Sequence, residues 1–272
     1  LKELFSHLLG KKKILEQEKI KIKLSSQVGD FDMKNIRGQA QAKRALEIAA
    51  AGGHNILLFG PPGSGKTILA KSLVSILPKL TLDESIDITK IYSVAGRLNG
   101  RGLVLKRPFR SPHHTASSAS LLGGGTYPRP GEISLAHRGV LFLDELPEFP
   151  RVVLENLRQP LEDGLINVCR TSGSVIFPAR FMLVASMNPC PCGYLGDKNH
   201  PCSCSSSQLL NYKKRISGPI SDRIDLFVGA PRVSFSNLTS RKDEESSLDI
   251  KNRVEIAREI QLNRFKDYKI FT

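Results

Sequence analysis

Residues 55–67 read Asn55-Ile-Leu-Leu-Phe-Gly-Pro-Pro-Gly-Ser-Gly-Lys-Thr67, an apolar run of strand length that leads into a glycine-rich turn. The turn fits the pattern G-x-x-x-x-G-K-[ST], and helical spacing over Gly65–Leu77 follows it directly. Glycines allow successive backbone N–H groups to point at phosphate oxygens near the positive end of that helix. The pattern therefore predicts a phosphate-binding loop made of Gly60, Pro61, Pro62, Gly63, Ser64, Gly65, Lys66 and Thr67.

An acidic motif downstream supplies what such a loop needs for catalysis. The apolar run Val140–Leu143 precedes Asp144 and Glu145, and a buried parallel strand delivers the residues after it to the sheet edge where ligands bind. We expect Lys66 to bridge the β- and γ-phosphates of ATP, and Thr67 and Asp144 to hold Mg²⁺. Glu145 is expected to polarise the attacking water. Acidic residues after a strand often cap the next helix instead. The phosphate loop earlier in the chain favours a catalytic role for Asp144 and Glu145 over a capping role.

Two polar residues near later strand ends are further candidates for the nucleotide site. Asn188 ends the run Phe181-Met-Leu-Val-Ala-Ser-Met-Asn188, where its amide would orient the water or sense the γ-phosphate, unless it only forms a turn before Pro189. Arg223 stands just before the apolar run Ile224–Gly229. Spacing alone leaves Arg223 either a solvent-facing charge or an arginine finger that reaches a neighbour's nucleotide.

Apolar runs alternate with helical patterns from about Asp30 to Pro231. This alternation predicts an α/β fold whose parallel sheet is covered by helices on both faces. The candidate strands are Asn55–Phe59, Val140–Leu143, Phe181–Ala185 and Ile224–Gly229, the candidate helices are Gln39–Ala51, Gly65–Leu77 and Arg151–Glu162, and Ile166–Pro178 resembles a hairpin. After a polar linker at Ser234–Ser247, helical spacing resumes over Asp249–Phe265.

Charge and composition narrow the classes of partner. The 272 residues include 40 Lys and Arg against 26 Asp and Glu, a net charge of +14, which predicts attraction to polyanions unless the excess serves solubility alone. Aromatic residues make up 6% of the chain and Trp is absent, so aromatic stacking is excluded as the main binding device. No run of 18 apolar residues exists, which excludes a membrane-spanning helix. The chain also lacks a charged-then-apolar leader at its start, so we expect a cytoplasmic protein.

Four of the five cysteines form two close pairs, Cys190-Pro-Cys192 and Cys202-Ser-Cys204. In a cytosolic protein, clustered thiols indicate a metal rather than disulfides. The loop that holds them is rich in Pro, Gly and Ser and has no core of its own, so a tetrahedral structural Zn²⁺ would organise it. Unmetallated thiols and a redox pair are the alternatives, and His200 could replace one thiolate.

These motifs together resemble a known family. The order of Arg37-Gly-Gln39, the phosphate loop, Asp144-Glu145, Asn188 and Asp222-Arg-Ile-Asp225 is similar to that of AAA+ ATPases. More closely, the stretches Gly38–His54, Arg107-Pro-Phe-Arg-Ser-Pro-His-His114 and Asn188-Pro-Cys-Pro-Cys-Gly193 resemble the magnesium-chelatase-like ComM/YifB family over roughly residues 28–268. The resemblance implies an AAA+ P-loop NTPase fold with a helix-2 insert before Asp144 and a pre-sensor hairpin at Ile166–Pro178.

The resemblance also implies an assembly and an activity. In this family a ring, expected to be a hexamer, holds ATP between subunits, Asn188 takes the sensor-1 position and Arg223 is the finger that acts in trans. The implied function is an ATP-driven motor that remodels DNA as a branch-migration helicase. The alternatives are a magnesium-chelatase-type ATPase that drives metal insertion through protein partners, and a nucleotide-gated assembly protein without turnover, against which the Asp144-Glu145 pair argues.

The helix-2 insert and the hairpin would both face the central pore of such a ring. Residues 97–138, in and around the insert, hold seven Arg or Lys and three His against the single acid Glu132. Candidate contacts to a DNA backbone are Lys106, Arg107, Arg110, His113 and His114. The alternative is that these basic residues pair with acids across a subunit interface.

Three regions follow from the resemblance and from the charge pattern. Residues 1–27 are expected to be a basic linker from a preceding domain, since residues 11–23 carry six Lys against two Glu and lack a sustained apolar face. Residues 28–232 are expected to form the AAA+ ATPase core. Residues 233–272 are expected to hold a linker and the start of a helical lid that is truncated here.

Overall fold

The computed structural model describes residues 2–13, 31–98, 102–125, 128–170, 173–197, 200–216, 218–233 and 244–266. The helices are α1 (Lys2–Leu8), α2 (Ala40–Gly52), α3 (Lys66–Ile76), α4 (Leu82–Val94), α5 (Ser118–Leu122), α6 (Glu132–Leu135), α7 (Arg151–Asn156), α8 (Arg158–Asp163), α9 (Ser206–Arg215), α10 (Gly218–Ser221) and α11 (Ser247–Arg264). The strands are β1 (Ile56–Phe59), β2 (Phe109–Arg110), β3 (Gly123–Gly124), β4 (Arg129–Pro130), β5 (Val140–Leu143), β6 (Leu165–Arg170), β7 (Gly173–Pro178), β8 (Met182–Met187) and β9 (Leu226–Gly229).

Five strands form the central sheet in the order β2-β5-β8-β1-β9. Every neighbouring pair is parallel, and β1 lies between β8 and β9 with Ile56 opposite both Val184 and Leu226. The carboxyl ends of these strands therefore meet at one edge of the sheet, which is where open α/β sheets bind their ligands. The predicted parallel sheet is confirmed.

Helices cover both faces of this sheet, and the side chains of each strand divide between two hydrophobic clusters. Ile56 and Leu58 pack into the cluster that contains α2, α3 and α11, whereas Leu57 packs into the cluster under α5, α6 and α7. Successive side chains of a strand point to opposite faces, so a strand buried on both sides is apolar throughout. This is why the short runs in β1 and β5 are continuously apolar, and why β8 is apolar apart from Ser186.

The last described helix, α11, packs on α2 and α3, and its Ile250 and Val254 belong to the same cluster as β1. Ser246 caps it, because the Ser246 side chain accepts a hydrogen bond from the backbone N–H of Asp249. The Ser247 hydroxyl accepts a second bond from the backbone N–H of Met33 at 2.8 Å. The helix predicted over residues 249–265 therefore begins two residues earlier and lies against the sheet-covering helices.

The antiparallel pair β6–β7 confirms the predicted hairpin. Several elements were not predicted, among them helix α4 and the two-residue edge strand β2 inside the glycine- and serine-rich stretch. Of the expected basic linker, residues 2–8 form helix α1, whereas residues 14–27 lie outside the described residues. The division of the chain at residues 28 and 233 stays a prediction. Within the described ranges, the helices fall short of the length and hydropathy that a bilayer span requires.

A buried histidine makes the stability of this fold depend on pH. His137 is 3% exposed, and its Nδ1 atom accepts a hydrogen bond from the backbone N–H of Arg180 at 3.1 Å. Burial, reinforced by the charge of Arg138, lowers the pKa of His137 to about 4. As the pH falls below the ordinary histidine pKa, the unfolded chain therefore takes up the proton first, and stability is lost.

We expect His137→Asn to remove this dependence, since an amide oxygen can accept the same hydrogen bond without titrating. Between pH 7 and pH 5 the unmodified chain should lose about 2 kcal/mol more unfolding free energy than the variant. Urea denaturation at the two pH values measures the difference. Equal losses in the two proteins would contradict the assignment.

Candidate nucleotide site

The phosphate loop connects β1 to α3 at the carboxyl edge of the sheet. Gly63 and Gly65 have φ angles of 74° and 90°, in the left-handed region that glycine adopts without strain. Gly60 lies so close to the segment that follows β9 that a Cβ atom on Gly60 would be 2.1 Å from the carbonyl oxygen of Ala230. The loop therefore needs glycine for its shape and for its packing.

Lys66 lies inside this loop at the start of α3. Its Nζ atom donates hydrogen bonds to the carbonyl oxygens of Gly60 at 2.7 Å and Pro61 at 3.0 Å, and to Oδ1 of Asn188 at 3.2 Å. Burial lowers the pKa of Lys66, and the carboxylates of Asp144 and Glu145 oppose that shift. The ammonium group is thus held at the centre of the loop, where it can neutralise phosphate charge.

A hydroxyl and a carboxylate form the adjoining donor pair. The Thr67 hydroxyl donates to Oδ2 of Asp144 at 2.9 Å, and the hydroxyl of Ser186 donates to Oδ1 of the same carboxylate. Hydroxyl and carboxylate oxygens are the hard ligands that Mg²⁺ prefers. The residues predicted to hold Mg²⁺ therefore fit that ion in type and in position.

Ser186 is a functional candidate that the sequence did not single out. It is fully buried in β8, and besides binding Asp144 it accepts a hydrogen bond from the backbone N–H of Glu145 at 3.2 Å. The Ser186 hydroxyl therefore orients both acidic residues. The available signal was a lone hydroxyl in an otherwise apolar strand.

Glu145 extends from the end of β5 with a left-handed backbone, φ 55°. Its side chain is 54% exposed, and Oε2 lies 3.7 Å from Nδ1 of His114. The His114 ring also packs edge-on against Phe149, with the ring centroids 6.4 Å apart. His114, a candidate DNA contact, thus lies beside the candidate base of the nucleotide site.

Arg223 lies at the opposite edge of the sheet. It precedes β9, and its carbonyl oxygen accepts a hydrogen bond at 2.8 Å from the side chain of Asn55, which precedes β1. The Arg223 guanidinium pairs with Glu162 at the end of α8. The structure therefore brings Lys66 and Asn188 together with the acidic pair, but keeps Arg223 a full strand length away from the phosphate loop of its own chain.

Two of the basic residues offered as DNA contacts have partners within the chain. The Arg107 side chain is 14% exposed and donates to the carbonyl oxygens of Pro78 and Arg138 and to Glu84. Arg110 forms a two-pronged pair with Glu132. These bonds hold both guanidinium groups against other residues of the same chain. A contact of Arg107 or Arg110 with DNA stays a prediction. The acidic partners of these two arginines lie in the same chain, whereas the alternative interpretation expects them across a subunit interface.

The four clustered cysteines converge on one point. The Sγ atoms of Cys190, Cys192, Cys202 and Cys204 all lie within 4.8 Å of one another. Cysteine binds metals as the thiolate, and four sulfur atoms this close together can all reach a single ion. His200 instead stacks on the Tyr194 ring at 5.0 Å. The arrangement is a four-sulfur donor set of the kind that holds tetrahedral Zn²⁺.

Comparisons with known proteins agree with this geometry. The family model described as magnesium chelatase, subunit ChlI, matches residues 32–238. Competence protein ComM of Haemophilus influenzae is 50% identical over 237 residues, which are 86% of this chain and 46% of ComM. The uncharacterized protein YifB of Escherichia coli K12 is 49% identical over 235 residues, again 86% of this chain and 46% of YifB. The chain spans about half the length of these relatives.

A solved structure shares the fold. The complex between subunits BchI and BchD of magnesium chelatase contains a chain that superposes with a TM-score of 0.51 and 18% identity, over 87% of this chain and 75% of that one. The match of the family model to most of the chain, together with this fold, places the protein in the magnesium-chelatase-like ComM/YifB family of AAA+ ATPases.

Proposed function

We propose that this chain is the motor of an ATP-hydrolysing ring that remodels DNA. One observation carries the proposal: at the carboxyl edge of the sheet Thr67 is hydrogen-bonded to Asp144 and Lys66 is hydrogen-bonded to Asn188, with Glu145 next to Asp144. A phosphate-binding cation, two oxygen ligands for a metal, a carboxylate base and an orienting amide are the groups that ATP hydrolysis requires.

The residues would divide the reaction as follows. Lys66 and the loop N–H groups bind the β- and γ-phosphates, and Asn188 orients the water for in-line attack. Glu145 accepts the proton of that water as its oxygen bonds to the γ-phosphorus and the bond to ADP breaks. Thr67 and Asp144 would hold Mg²⁺, which neutralises charge on the phosphate oxygens when bound.

The position of Arg223 is an argument for the proposed ring. Its position at the amino edge of the sheet lies too far from its own phosphate loop for contact, because four strand residues alone span about 13 Å. An arginine there serves catalysis if it faces the nucleotide of an adjacent copy of the chain, with the Glu162 pair giving way to the γ-phosphate. We propose a homo-oligomeric ring, a hexamer, with ATP at each interface.

DNA is the proposed substrate of the motor. The net charge of +14 favours a polyanionic substrate. The similarity to competence protein ComM supports the choice of DNA. Lys106 and His113 are exposed on the insert and remain candidate backbone contacts. His113 also stacks against His114, with the ring centroids 4.1 Å apart. DNA bound at His113 would therefore displace or order the His114 ring, which lies next to Glu145. A cytoplasmic location is part of the same proposal.

The test is the ATPase rate of the chain with no DNA, single-stranded DNA and branched DNA. We expect DNA to raise the rate several-fold, less so as salt rises, because phosphate contacts release counterions. Lys106→Ala should weaken the stimulation. Lys34→Ala, which removes an equal exposed charge next to α3 and outside the insert, should leave it unchanged. A rate independent of DNA under all these conditions would overturn the proposal.

A chelatase-type ATPase is the second candidate, favoured by the family model for magnesium chelatase subunit ChlI. In that case turnover would respond to a protein partner and not to DNA. The nucleotide-gated assembly protein without turnover is disfavoured by the intact carboxylate of Glu145.

We also propose that Cys190, Cys192, Cys202 and Cys204 bind one structural Zn²⁺. Four thiolates close a tetrahedral shell and leave no position for a reactive water. Metal binding would be coupled to folding of the loop that carries them.

A further inference from the structure

The cysteine loop, residues 189–197 with 200–205, begins directly after the candidate sensor Asn188. Cys190 is fully buried, its carbonyl oxygen accepts the Gly193 N–H at 3.0 Å, and its Sγ atom accepts the Leu195 N–H at 3.3 Å. Two residues earlier, Asn188 accepts the hydrogen bond from Lys66. The cysteine cluster and the phosphate-binding lysine are therefore joined by one short, tightly turned segment.

The same loop packs directly on the phosphate loop. A Cβ atom placed on Gly193 would lie 2.7 Å from Cδ and 2.8 Å from Cγ of Pro62. Gly193 also has a φ angle of 86°, which a side chain would strain. The glycine between the two cysteine pairs is thus shaped both for its turn and for contact with Pro62.

The other side of the cysteine loop contacts the segment that follows β9. Arg232 lies over the Tyr194 ring at 5.7 Å, and its Nε atom is 3.4 Å from Oδ2 of Asp197. Just before Arg232, the Pro231 carbonyl oxygen accepts a hydrogen bond at 2.6 Å from Gln39.

The Gln39 side chain reaches back to the phosphate loop. The Nε2 atom that binds Pro231 also donates to the Ser64 carbonyl oxygen at 3.0 Å. The phosphate loop is therefore enclosed by the cysteine loop at Pro62 and by this linked segment at Ser64.

From these contacts we infer that Zn²⁺ bound to the four cysteines holds the phosphate loop in its nucleotide-binding shape, so that ATP affinity depends on the metal. The inference rests on the zinc site proposed above and goes beyond a structural role confined to the cysteine loop. Without the metal, a loop of prolines, glycines and serines has little apolar surface to pack. Its release would remove the support behind Pro62 and loosen Asn188 beside Lys66.

The experiment measures zinc content and the affinity of a fluorescent ATP analogue on the same samples of the full chain. We expect about one zinc per chain as purified, since one closed shell needs four ligands. Chelation of zinc under reducing conditions should weaken analogue binding about tenfold. We expect this size of effect because the phosphate loop would lose one packed contact and one hydrogen bond. Adding Zn²⁺ back should restore it.

Variants separate the metal from the contact. Cys202→Ser with Cys204→Ser should lose both zinc and affinity, whereas Cys169→Ser, which changes a cysteine on β6 outside the cluster, should lose neither. Gly193→Ala should retain zinc and still bind the analogue more weakly, because its methyl group displaces Pro62.

The outcomes distinguish the two proposals. A chain that neither contains nor takes up zinc refutes the zinc site, and the coupling fails with it. Zinc that can be removed and restored without any change in analogue affinity, with the fold retained by circular dichroism, refutes the coupling and leaves the zinc site standing. Unchanged analogue affinity in zinc-loaded Gly193→Ala also refutes the coupling, and this test remains even if the double cysteine variant fails to fold.

Discussion

Glu145→Gln is expected to lower the rate of ATP hydrolysis by about 10²- to 10⁴-fold while ATP still binds, because the amide keeps the shape of the side chain and cannot accept the proton of water. Lys66 and the phosphate loop remain intact in this variant. Lys66→Ala should instead abolish tight ATP binding, since it removes the cation that the Gly60 and Pro61 carbonyl groups hold in the loop.

Single-turnover hydrolysis and equilibrium binding of an ATP analogue separate these two effects. Glu148→Gln is the matched control: it removes the same charge three residues further on, where the carboxylate pairs with Arg215 at 2.8 Å. The control should hydrolyse ATP at nearly the normal rate. Equal loss of binding in Glu145→Gln and Lys66→Ala would show that the separate roles are wrong.

Arg223→Ala is expected to lower ATP turnover by about 10³-fold or more without weakening ATP binding to the same chain, as loss of an arginine finger does. The reason is the position of Arg223, at the sheet edge opposite the phosphate loop. Arg215→Ala, which removes another exposed arginine, should leave turnover nearly unchanged.

Mixing two inactive variants tests whether the finger acts across an interface. Arg223→Ala subunits keep Glu145, and Glu145→Gln subunits keep Arg223, so some interfaces of a mixed ring unite an intact base with an intact finger. Activity should return at intermediate mixing ratios. Mixed rings that form and stay inactive at every ratio would remove the support for action in trans.

The nucleotide site was largely readable from the sequence because its parts are local. Eight adjacent residues make the phosphate loop, and Asp144, Glu145 and Asn188 each follow an apolar run directly. Once the strands are taken as parallel, their ends must meet at one edge, so the convergence of these residues needed no further information. Helix α4 was also within reach, since Thr81 and Glu84 form a capping box at its start.

Other features depend on residues that are distant in the chain. The role of Ser186 requires the register of β5 against β8, in which Leu143 lies opposite Ala185. The ion pair between Arg107 and Glu84, which lies 23 residues earlier, is likewise visible only in the structure. A count of basic residues records charge but not which charges are already paired.

The sequence by itself determined four of the five strands of the sheet, helices α2, α3 and α11, the phosphate loop and the acidic pair, because these follow from periodicity and from neighbours along the chain. Only the tertiary structure decided that the Gln39 side chain binds the carbonyl oxygen of Pro231, and that Gly193 of the cysteine loop touches Pro62. Both facts arise from packing between segments more than a hundred residues apart. Contacts of that kind depend on sheet order and backbone approach, which no local pattern encodes.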